Sequence, residues 1–546
     1  MQGSDAAATR ERATADRSPI AVQAARRRTF AVISHPDAGK STLTEALALH
    51  ARAIGEAGAV HGKAGRSATV SDWMAMEKER GISISSTVLQ FAYRDTVINL
   101  LDTPGHADFS EDTYRVLTAV DCAVMLLDAA KGLEPQTLKL FEVCRSRGVP
   151  VVTFINKWDR PGIEPLALLD EIERRIGLTC TPLTWPVGPG GEFHGVVDRL
   201  RGEMVRFERS GGGSSAAIEE HLTPEQAAAR FGGDWVRATE ELELLGLTGA
   251  DYDRETFLAA KTTPVMFGAA VANFGVRQLL DVLVDHAPAP SPRPDAEGHE
   301  RPLDTPFSGF VFKIQANMNR AHRDQIAFVR VCSGRFERGM VVNHAETGRP
   351  FATKYVHQVF GRERETVDEA FPGDVIGLVN AHALGIGDTL HAGSPPVTYP
   401  PLPSFAPEHF AVVRATDSSK FKRFRRGIEQ LDAEGVVQVL RSNRRGDQAP
   451  VLAAVGPMQF EVATHRLDVE FGVPTAIEHL PYRLARRTDA EGEQLLRTAI
   501  GVEVLVRARD DTRLALFLDQ WRLRSVTNDH PKLLVAPLLA GEAATA

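Results

Sequence analysis

The chain has 546 residues, of which 43% are hydrophobic and 25% charged, and its formal net charge is −8. A chain of this length holds roughly two to four domains, and its composition is that of an ordinary globular protein. The acidic balance argues against broad, nonspecific nucleic-acid binding but allows a local basic surface. No run approaches the ~18 apolar residues of a membrane helix, so no membrane partner is expected.

The 4 cysteines are scattered and form no C-x-x-C pair. This pattern fits a reduced compartment and predicts neither a disulfide framework nor a cysteine zinc site. Residues 1–28 are rich in Ala, Arg and Thr and lack the apolar core of an export signal. We therefore expect a disordered leader on a cytoplasmic protein.

Residues 29–286 alternate apolar runs with amphipathic segments, which is typical of βαβ units around a parallel sheet. The predicted strands are Thr29–Ser34, Thr96–Leu101, Cys122–Asp128, Val149–Asn156 and Pro264–Phe267. A Gly- and Ser-rich stretch at 211–215 predicts a flexible loop within an insertion. This part of the chain is expected to form an α/β domain.

Proline-rich segments divide the rest of the chain. Linkers are predicted at 287–306 and at 396–403. Between them, residues 307–395 contain short β-rich runs broken by glycine turns, which favours a small antiparallel barrel. Residues 404–546 mix strands with helices, including a predicted helix at Ser418–Glu434. The expected fold class is therefore a multidomain α/β protein.

The segment after the first predicted strand matches a phosphate-binding loop with one substitution. It reads Ser34-His35-Pro36-Asp37-Ala38-Gly39-Lys40-Ser41-Thr42. Ser34 stands where the pattern G-x-x-x-x-G-K-[ST] has its first glycine. Backbone N–H groups at a helix start favour polyphosphate. Lys40 can reach the β and γ phosphates, and the Ser41 hydroxyl can complete a magnesium shell. The alternative is a strand-to-helix turn with a buried lysine stem.

Two further segments predict contacts to magnesium and the γ-phosphate. Asp102-Thr103-Pro104-Gly105 follows a predicted strand. An Asp there can hold Mg²⁺, usually through water, and Gly105 lets a backbone N–H approach the γ-phosphate. Upstream, Ser83 ends the segment Arg80-Gly81-Ile82-Ser83, and its hydroxyl can bind Mg²⁺ when the γ-phosphate is present. Alone, each segment also fits a chance match or a surface turn.

Asn156-Lys157-Trp158-Asp159 indicates which base is bound. It follows a predicted buried strand, and side chains at the carboxyl end of such a strand point into the ligand crevice of an α/β sheet. Asp159 can accept hydrogen bonds from N1–H and the exocyclic amine of guanine, whereas adenine would leave this carboxylate unpaired. Asn156 can either contact the base edge or tie the phosphate loop in place, and the Lys157 stem can lie along the base.

The four motifs occur in one order on suitable elements, so together they predict a site for GTP or GDP with Mg²⁺. His106 directly follows Gly105 and is predicted to orient the attacking water, while Lys40 and Mg²⁺ stabilise charge on the phosphate. His106 and Lys40 are thus the predicted catalytic residues, with Ile82 and Pro36 as an apolar screen. No arginine finger can be assigned, so we expect slow intrinsic hydrolysis and external activation.

The last predicted strand of the α/β domain leads into Gly268-Ala269-Ala270-Val271. Ala269 lacks the hydroxyl often found there, but the backbone N–H of Ala270 is expected to contact guanine O6. The predicted magnesium ligands are Ser41, Ser83 and Asp102. The predicted GTP-binding residues are Ser34, His35, Pro36, Asp37, Ala38, Gly39, Lys40, Ser41, Thr42, Asp102, Thr103, Pro104, Gly105, His106, Asn156, Lys157, Asp159, Ala269 and Ala270.

These motifs resemble those of the translational GTPase family, and in particular its elongation factor G-like members. Further matching segments are Asp72–Gly81, Phe109–Tyr114, Phe310–Met318, His322–Asp324 and Val455–Phe460. The resemblance implies a P-loop GTPase domain, a β-barrel domain and a ferredoxin-like third domain.

The resemblance also implies a role on the ribosome in translation termination. It implies GTP-dependent departure of class I release factors after peptide release, with sarcin–ricin loop RNA as the activator of His106. No DNA partner is expected, and the chain is expected to act as a monomer. Composition and spacing by themselves do not indicate termination.

Other functions stay open on the sequence. A translocating or ribosome-protecting GTPase similar to elongation factor G would carry further domains beyond the third, and only a short segment follows the third-domain pattern here. A nucleotide-binding scaffold without useful hydrolysis has slight support from Ser34 and Ala269. The basic face of the helix at 418–434 either contacts ribosomal RNA or protein, or is a solvated surface.

Overall fold

The computed structural model of the protein describes residues 18–51, 77, 83–208, 217–316, 325–360, 363–402, 405–442, 445–446 and 448–538. Several segments named in the sequence analysis lie outside the described residues. They are residues 1–17 of the leader, residues 72–82 apart from Glu77, the loop at 211–215, residues 317–318 and His322–Asp324. No helix in the described part of the chain is long and apolar enough to cross a membrane.

The first part of the chain alternates strands and helices as expected. Its strands are β1 (Arg27–Ser34), β2 (Thr87–Tyr93), β3 (Thr96–Asp102), β4 (Cys122–Asp128), β5 (Val151–Asn156), β6 (Thr179–Pro182), β7 (Thr184–Val187), β8 (Gly195–Asp198), β9 (Glu203–Glu208), β10 (Ile218–Leu222) and β11 (Thr262–Phe267). Its helices are α1 (Pro19–Ala25), α2 (Lys40–His50), α3 (Ser110–Ala119), α4 (Pro135–Ser146), α5 (Pro165–Ile176), α6 (Pro224–Phe231), α7 (Gly233–Leu247), α8 (Arg254–Leu258) and α9 (Val276–His286).

Seven of these strands form one sheet in the order β2-β3-β1-β4-β5-β11-β6. All neighbouring pairs are parallel except β2 and β3, which are antiparallel. The alternating residues of β1 enter different apolar cores: Phe30 and Val32 pack on one side, and Ala31 and Ile33 on the other. A sheet buried on both faces needs such continuous apolar strands. The carboxyl ends of β1, β3, β4 and β5 therefore meet at one edge.

Residues 19–28, expected to belong to a disordered leader, are instead a helix and the start of a strand. The hydroxyl of Ser18 caps α1 by accepting the backbone N–H of Ala21 at 3.2 Å. The buried guanidinium of Arg27 donates to Oδ2 of Asp374 at 2.8 Å. Asp374 lies far along the chain, in the β-rich second domain at 307–395. The expectation was wrong because this long-range contact orders the segment, and local composition does not show it.

The insertion predicted in the first domain contains a small separate sheet. β10, β9, β8 and β7 form it in that order, with antiparallel neighbours. Buried aromatic side chains join it to the main sheet, because Trp185 and Phe267 lie edge to face with their ring centroids 5.4 Å apart. The insertion is therefore packed against the seven-stranded sheet.

The second part of the chain is almost entirely β-structure. Its strands are β12 (Arg293–Pro294), β13 (Glu300–Arg301), β14 (Ser308–Ala316), β15 (Gln325–Ser333), β16 (Phe336–Glu337), β17 (Val341–His344), β18 (Pro350–Ala352), β19 (Val356–Phe360), β20 (Glu363–Thr366), β21 (Glu369–Ala370), β22 (Val375–Val379) and β23 (Thr389–His391). Eight of them form an antiparallel sheet in the order β18-β17-β23-β14-β15-β22-β19-β20, around one apolar core. This is the β-domain expected from the sequence. The short β12–β13 pair lies within the segment predicted as a linker.

The third part mixes a sheet with helices. Its strands are β24 (His409–Ala415), β25 (Gln438–Arg441), β26 (Val451–Ala454), β27 (Thr475–His479), β28 (Leu484–Thr488), β29 (Val502–Arg507) and β30 (Arg513–Phe517). Its helices are α10 (Phe421–Ala433), α11 (Met458–Phe471), α12 (Ala490–Leu496) and α13 (Gln520–Asp529). The sheet order is β27-β24-β26-β25-β29-β30-β28. β28, β29 and β30, in the C-terminal part of the third domain, thus belong to the same sheet as the strands before them.

Candidate nucleotide-binding site

The predicted phosphate loop connects β1 to α2 by two backbone turns of positive φ. Asp37 has φ 65° and Gly39 has φ 97°, and glycine adopts this conformation without steric cost. A Cβ on Gly39 would lie 2.5 Å from Asn156 Nδ2. The sequence places a glycine here because the loop turns sharply against the Asn156 side chain.

The first two residues of this loop are held by polar contacts. Ser34, which replaces the usual glycine, is buried, and its hydroxyl donates to the carbonyl of His35 at 2.8 Å. His35 Nε2 lies 3.2 Å from Glu134 Oε1. The serine is therefore accommodated by a local hydrogen bond.

Lys40 and Asp102 meet at the start of α2. Lys40 Nζ lies 3.3 Å from Asp102 Oδ1, and the two side chains are only 7% and 3% exposed. Asp102 ends β3, whose neighbour is β1, and pairs in register with Val32. The parallel sheet thus places the predicted phosphate-binding ammonium beside the predicted metal-binding carboxylate.

Ser41 and Ser83, the two predicted magnesium-binding hydroxyls, are also neighbours. Their Oγ atoms are 3.4 Å apart. Adjacent ligands of an octahedral magnesium ion with bonds of about 2.0–2.1 Å are about 2.9 Å apart. The two hydroxyls are thus close enough to share one ion after a small adjustment, and the Asp102 carboxylate beside Lys40 offers a further oxygen ligand. These residues fit magnesium.

The segment after Asp102 is fixed to the phosphate loop. The hydroxyl of Thr103 donates to the carbonyl of Val32 at 2.9 Å, and Pro104 accepts a hydrogen bond from Thr113 Oγ1 at 3.1 Å. A Cβ on Gly105 would lie 3.4 Å from the backbone of Pro36. Residues 102–109, which we call switch II, therefore pass directly over the phosphate loop.

His106 is held by the residue two positions later. Its Nδ1 accepts the backbone N–H of Asp108 at 3.2 Å and lies 3.3 Å from Asp108 Oδ1. The imidazole is about one-third exposed, since the side chain retains 32% of its accessible surface. With Nδ1 engaged, Nε2 is the ring nitrogen directed to other partners. Ile82, the predicted half of the apolar screen, lies outside the described residues.

Asn156 ties two loops together. Its Nδ2 donates to the carbonyl of Ala38 at 2.8 Å, and its Oδ1 accepts the backbone N–H of Ala270 at 2.8 Å. Of the two roles left open by the sequence, this structure shows the second: the amide holds the phosphate loop to the loop that follows β11.

This contact gives the backbone N–H of Ala270 a partner that the sequence analysis did not expect. Its backbone N–H was expected to be available to guanine O6, but in the structure it donates to Asn156. The backbone N–H of the preceding Ala269 donates to the carbonyl of Phe274 at 3.0 Å. The sequence did not reveal this because the acceptor, Asn156, comes from a different strand. A contact of Ala269 or Ala270 with guanine stays a prediction.

Lys157 has a partner that the sequence analysis missed. Its Nζ donates to Asp128 Oδ2 at 2.8 Å and to the carbonyl of Asp37. Burial raises the pKa of Asp128, but hydrogen bonds from Lys157 and from the N–H of Ala130 outweigh it, and the pKa lies below its ordinary value. Asp128 ends β4, so its position at the carboxyl end of a parallel strand was the available signal.

Trp158, between Lys157 and Asp159, holds this segment in the apolar core. Trp158 is 1% exposed, and its ring meets Phe267 edge to face at a centroid distance of 5.0 Å. Its backbone N–H donates to the carbonyl of Gly268 at 3.1 Å. Burial of such a large ring fixes the backbone of Asp159, whose contact with guanine stays a prediction.

The second domain holds the residues that follow Ser83. We call residues 83–86 switch I. The ammonium of Lys313, on β14, donates to the hydroxyls of Ser85 and Ser86 at 2.7 and 3.0 Å and also to the Ser86 carbonyl. Lys313 is buried, and this burial lowers its pKa below the ordinary value. Such a lysine depends on these oxygens for its hydrogen bonds.

The third domain contacts both switches. Ile84 of switch I, Phe109 of switch II and Val462 of α11 form one buried apolar cluster. Asp108 Oδ2 accepts the backbone N–H of Met458 at 2.8 Å. The two switch segments are therefore packed between the nucleotide site and the other two domains.

The helix predicted at 418–434 is present as a 3₁₀ turn followed by α10. Its apolar side, including Phe424 and Ile428, is buried, whereas Arg423, Arg425 and Arg426 are exposed. Arg425 lies 3.6 Å from Glu429. The structure thus leaves both roles of the basic face open, and RNA contact stays a prediction.

Known families match the chain in three consecutive regions. Residues 25–289 match the elongation factor Tu GTP binding domain, and residues 306–393 match elongation factor G domain 2. Residues 399–527 match the C-terminal domain of class II release factor RF3. The first match carries all four nucleotide-binding motifs, so the predicted GTPase activity and the binding of GTP and GDP are confirmed.

Two curated relatives are similar over nearly the whole chain. Peptide chain release factor 3 of Synechococcus elongatus is 49% identical over 523 residues, covering 94% of this chain and 94% of the relative. The protein of the same name from Symbiobacterium thermophilum is 47% identical over 518 residues, covering 94% and 98%. A crystal structure of a Thermus thermophilus protein has the same fold, with a TM-score of 0.68 and 23% identity over 85% of this chain and 70% of that one. The chain belongs to the peptide chain release factor 3 family of translational GTPases.

Proposed function

We propose that the chain hydrolyses GTP on the ribosome during translation termination and thereby promotes dissociation and recycling of class I release factors. The observation that carries the proposal is that Lys313 of the second domain holds switch I while Met458 of the third domain holds Asp108 of switch II. A change at the γ-phosphate would thus be transmitted through the two switches to the second and third domains. The name shared by the relatives supports the termination step.

Nucleotide binding would rest on residues that already converge. The backbone of the phosphate loop and Lys40 would hold the β and γ phosphates, as the helix start of α2 favours negative charge. Ser41, Ser83 and Asp102 would hold Mg²⁺, which when bound neutralises charge on the phosphate oxygens. Asp159 would accept the two guanine N–H groups, on a backbone fixed by Trp158.

Hydrolysis would depend on His106. Water attacks the γ-phosphorus, the bond to the bridging oxygen of GDP breaks, and the water proton passes to the departing phosphate. Because Nδ1 of His106 is engaged with Asp108, Nε2 would orient this water. We propose that sarcin–ricin loop RNA brings His106 into its working position, so that hydrolysis is slow away from the ribosome.

We propose that the protein acts as a monomer in the cytoplasm, where its buried free thiols would stay reduced. DNA and membranes are not proposed as partners.

A recycling assay tests the proposal. Ribosomes carrying a stop codon and peptidyl-tRNA are mixed with a class I release factor in less than stoichiometric amount, and peptide release is followed with and without this protein. We expect GTP with the protein to convert a single round of release into many rounds, and GDP to fail. Release that stays at one round with GTP would reject the termination role while leaving the GTPase intact.

A further inference from the structure

Three side chains with metal-binding atoms converge in the second domain, away from the nucleotide site. His344 ends β17, Glu346 lies in the turn that follows, and Asp388 precedes β23. His344 Nε2 is 2.8 Å from Glu346 Oε2 and 2.9 Å from Asp388 Oδ2. One atom of each residue lies within 4.8 Å of the others. We call these three residues the His344 cluster.

The geometry of the His344 cluster differs from that of a hydrogen-bonded ion pair. Nε2 is buried and, among the residues that the structure describes, forms no hydrogen bond, although both carboxylate oxygens are near. Neither oxygen therefore lies in line with a hydrogen on Nε2, but both are close enough to this nitrogen to bind the same ion after a small adjustment.

The supporting contacts also match those of a metal site. Thr347 Oγ1 lies 2.9 Å from His344 Nδ1 and fixes the ring. The backbone N–H of Thr389 donates to Glu346 Oε1 at 3.3 Å, and that of Gly385 donates to Asp388 Oδ2 at 2.6 Å. Partners of this kind orient the ligands of metal centres.

Charge favours a cation at this point. Two carboxylates, those of Glu346 and Asp388, lie next to the His344 side chain, which is only 10% exposed, and such carboxylates attract a cation. The Glu346 side chain is 41% exposed, so solvent can supply a further ligand. Arg509 of the third domain donates to the carbonyl of Ile386 in the same loop as Asp388, which puts the cluster at the contact between the two domains.

We propose that the His344 cluster binds a divalent transition metal, with Zn²⁺ as the best match. One imidazole and two carboxylates are borderline ligands of the kind that zinc accepts, whereas calcium and magnesium take oxygen sets. The metal joins the turn after β17 to the loop that contacts Arg509. It acts there as a structural clamp and takes no part in the nucleotide site.

Calorimetric titration with Zn²⁺ alone tests this, using the full-length protein stripped with a chelator and free of nucleotide. We expect one zinc per chain that is lost in His344→Ala and bound at least about tenfold more weakly in Glu346→Gln. His382→Ala is the control, because His382 is an exposed histidine of the same domain outside the cluster. It should bind zinc like the wild type.

Cobalt absorption gives a second readout that does not depend on stability. Co²⁺ added to the stripped protein should produce the visible bands of a site with a histidine ligand, and these bands should be absent in His344→Ala and altered in Glu346→Gln. Glu346 is partly exposed, so its variant tests the site even if His344→Ala does not fold. A wild-type protein that binds no zinc, or variants that bind it equally well, would overturn the proposal in favour of an imidazolium between two carboxylates.

Discussion

Asp108 accepts the backbone N–H of Met458 at 2.8 Å while its own backbone N–H donates to His106 Nδ1 at 3.2 Å. One residue thus connects the predicted water-orienting histidine to the third domain. The fit is tight, since a Cβ on Gly456 would lie 2.1 Å from the carboxyl carbon of Asp108. The position of His106 therefore depends on how the third domain packs against switch II.

Gly456→Ala should disturb the packing of the third domain against Asp108 without a direct contact with the nucleotide. The added methyl group has to displace Asp108, so we expect GTP affinity close to that of the wild type but slower ribosome-stimulated hydrolysis, by about tenfold or more. Gly246→Ala is the matched control, because a Cβ there meets nothing within 4 Å. Equal hydrolysis rates for the two variants would mean that Asp108 does not position His106.

Lys313→Met should uncouple switch I from the second domain. The variant loses the hydrogen bonds to Ser85 and Ser86 but also removes a buried charge, so we expect impaired ribosome-stimulated hydrolysis with little loss of stability. Hydrolysis and thermal unfolding measured on the same preparation separate the two effects. Wild-type hydrolysis in this variant would contradict the role given to Lys313.

The same variant should change how stability depends on pH. Burial lowers the pKa of Lys313 from 10.5, so between the folded-state pKa and 10.5 the unfolded chain binds more protons than the folded protein. The contribution of Lys313 to stability therefore rises as pH increases through this window. The unfolding temperature of the wild type minus that of Lys313→Met should increase from neutral to alkaline pH. A difference that stays constant or decreases would mean that the lysine is not buried as described.

Asn156→Ala should weaken nucleotide binding without changing base preference. It leaves the Ala38 carbonyl and the Ala270 N–H unpaired, which costs about 1–3 kcal/mol for each buried group. We expect the affinities for GTP, for inosine triphosphate, which lacks the 2-amino group of guanine, and for 7-deaza-GTP, which lacks N7, to fall by the same factor, measured by competition with a fluorescent GDP. A selective loss of GTP affinity would show that Asn156 reads the base.

Asp159→Asn should change the base preference instead. Loss of the carboxylate that pairs with two guanine N–H groups should weaken GTP by about tenfold to a hundredfold, while xanthosine triphosphate, whose extra carbonyl suits an amide donor, should bind better than to the wild type. Asp170→Asn, on the exposed face of α5, serves as the control and should leave both affinities unchanged. Retained guanine preference in Asp159→Asn would rule out the assigned pairing.

The strands and most of the site were predictable because they depend on local sequence. β4 has the bounds expected from its apolar run, and Asp102 and Asn156 end strands whose carboxyl ends meet at one sheet edge. Residue type and order were enough to assign these residues to one site, and the structure brings Lys40 next to Asp102 and Ser41 next to Ser83.

What the sequence did not reveal depends on residues far apart in the chain. The order of residues 19–28 follows from the contact of Arg27 with Asp374, and the occupied N–H of Ala270 follows from Asn156. Neither pair has a sequence signature, because hydrogen bonds between domains or between distant loops leave no periodic pattern. The hydrogen bonds of Lys313 with switch I and of Met458 with Asp108 in switch II also join residues that are far apart in the chain.

Ribosome-stimulated GTP turnover by His106→Ala tests the central claim most directly. The imidazole belongs to switch II and contacts Asp108 rather than the phosphate loop, so its removal should leave GTP affinity nearly unchanged. Loss of the residue that orients the water should lower turnover on ribosomes by about a hundredfold or more. Turnover at the wild-type rate, with normal stimulation by ribosomes, would contradict the account.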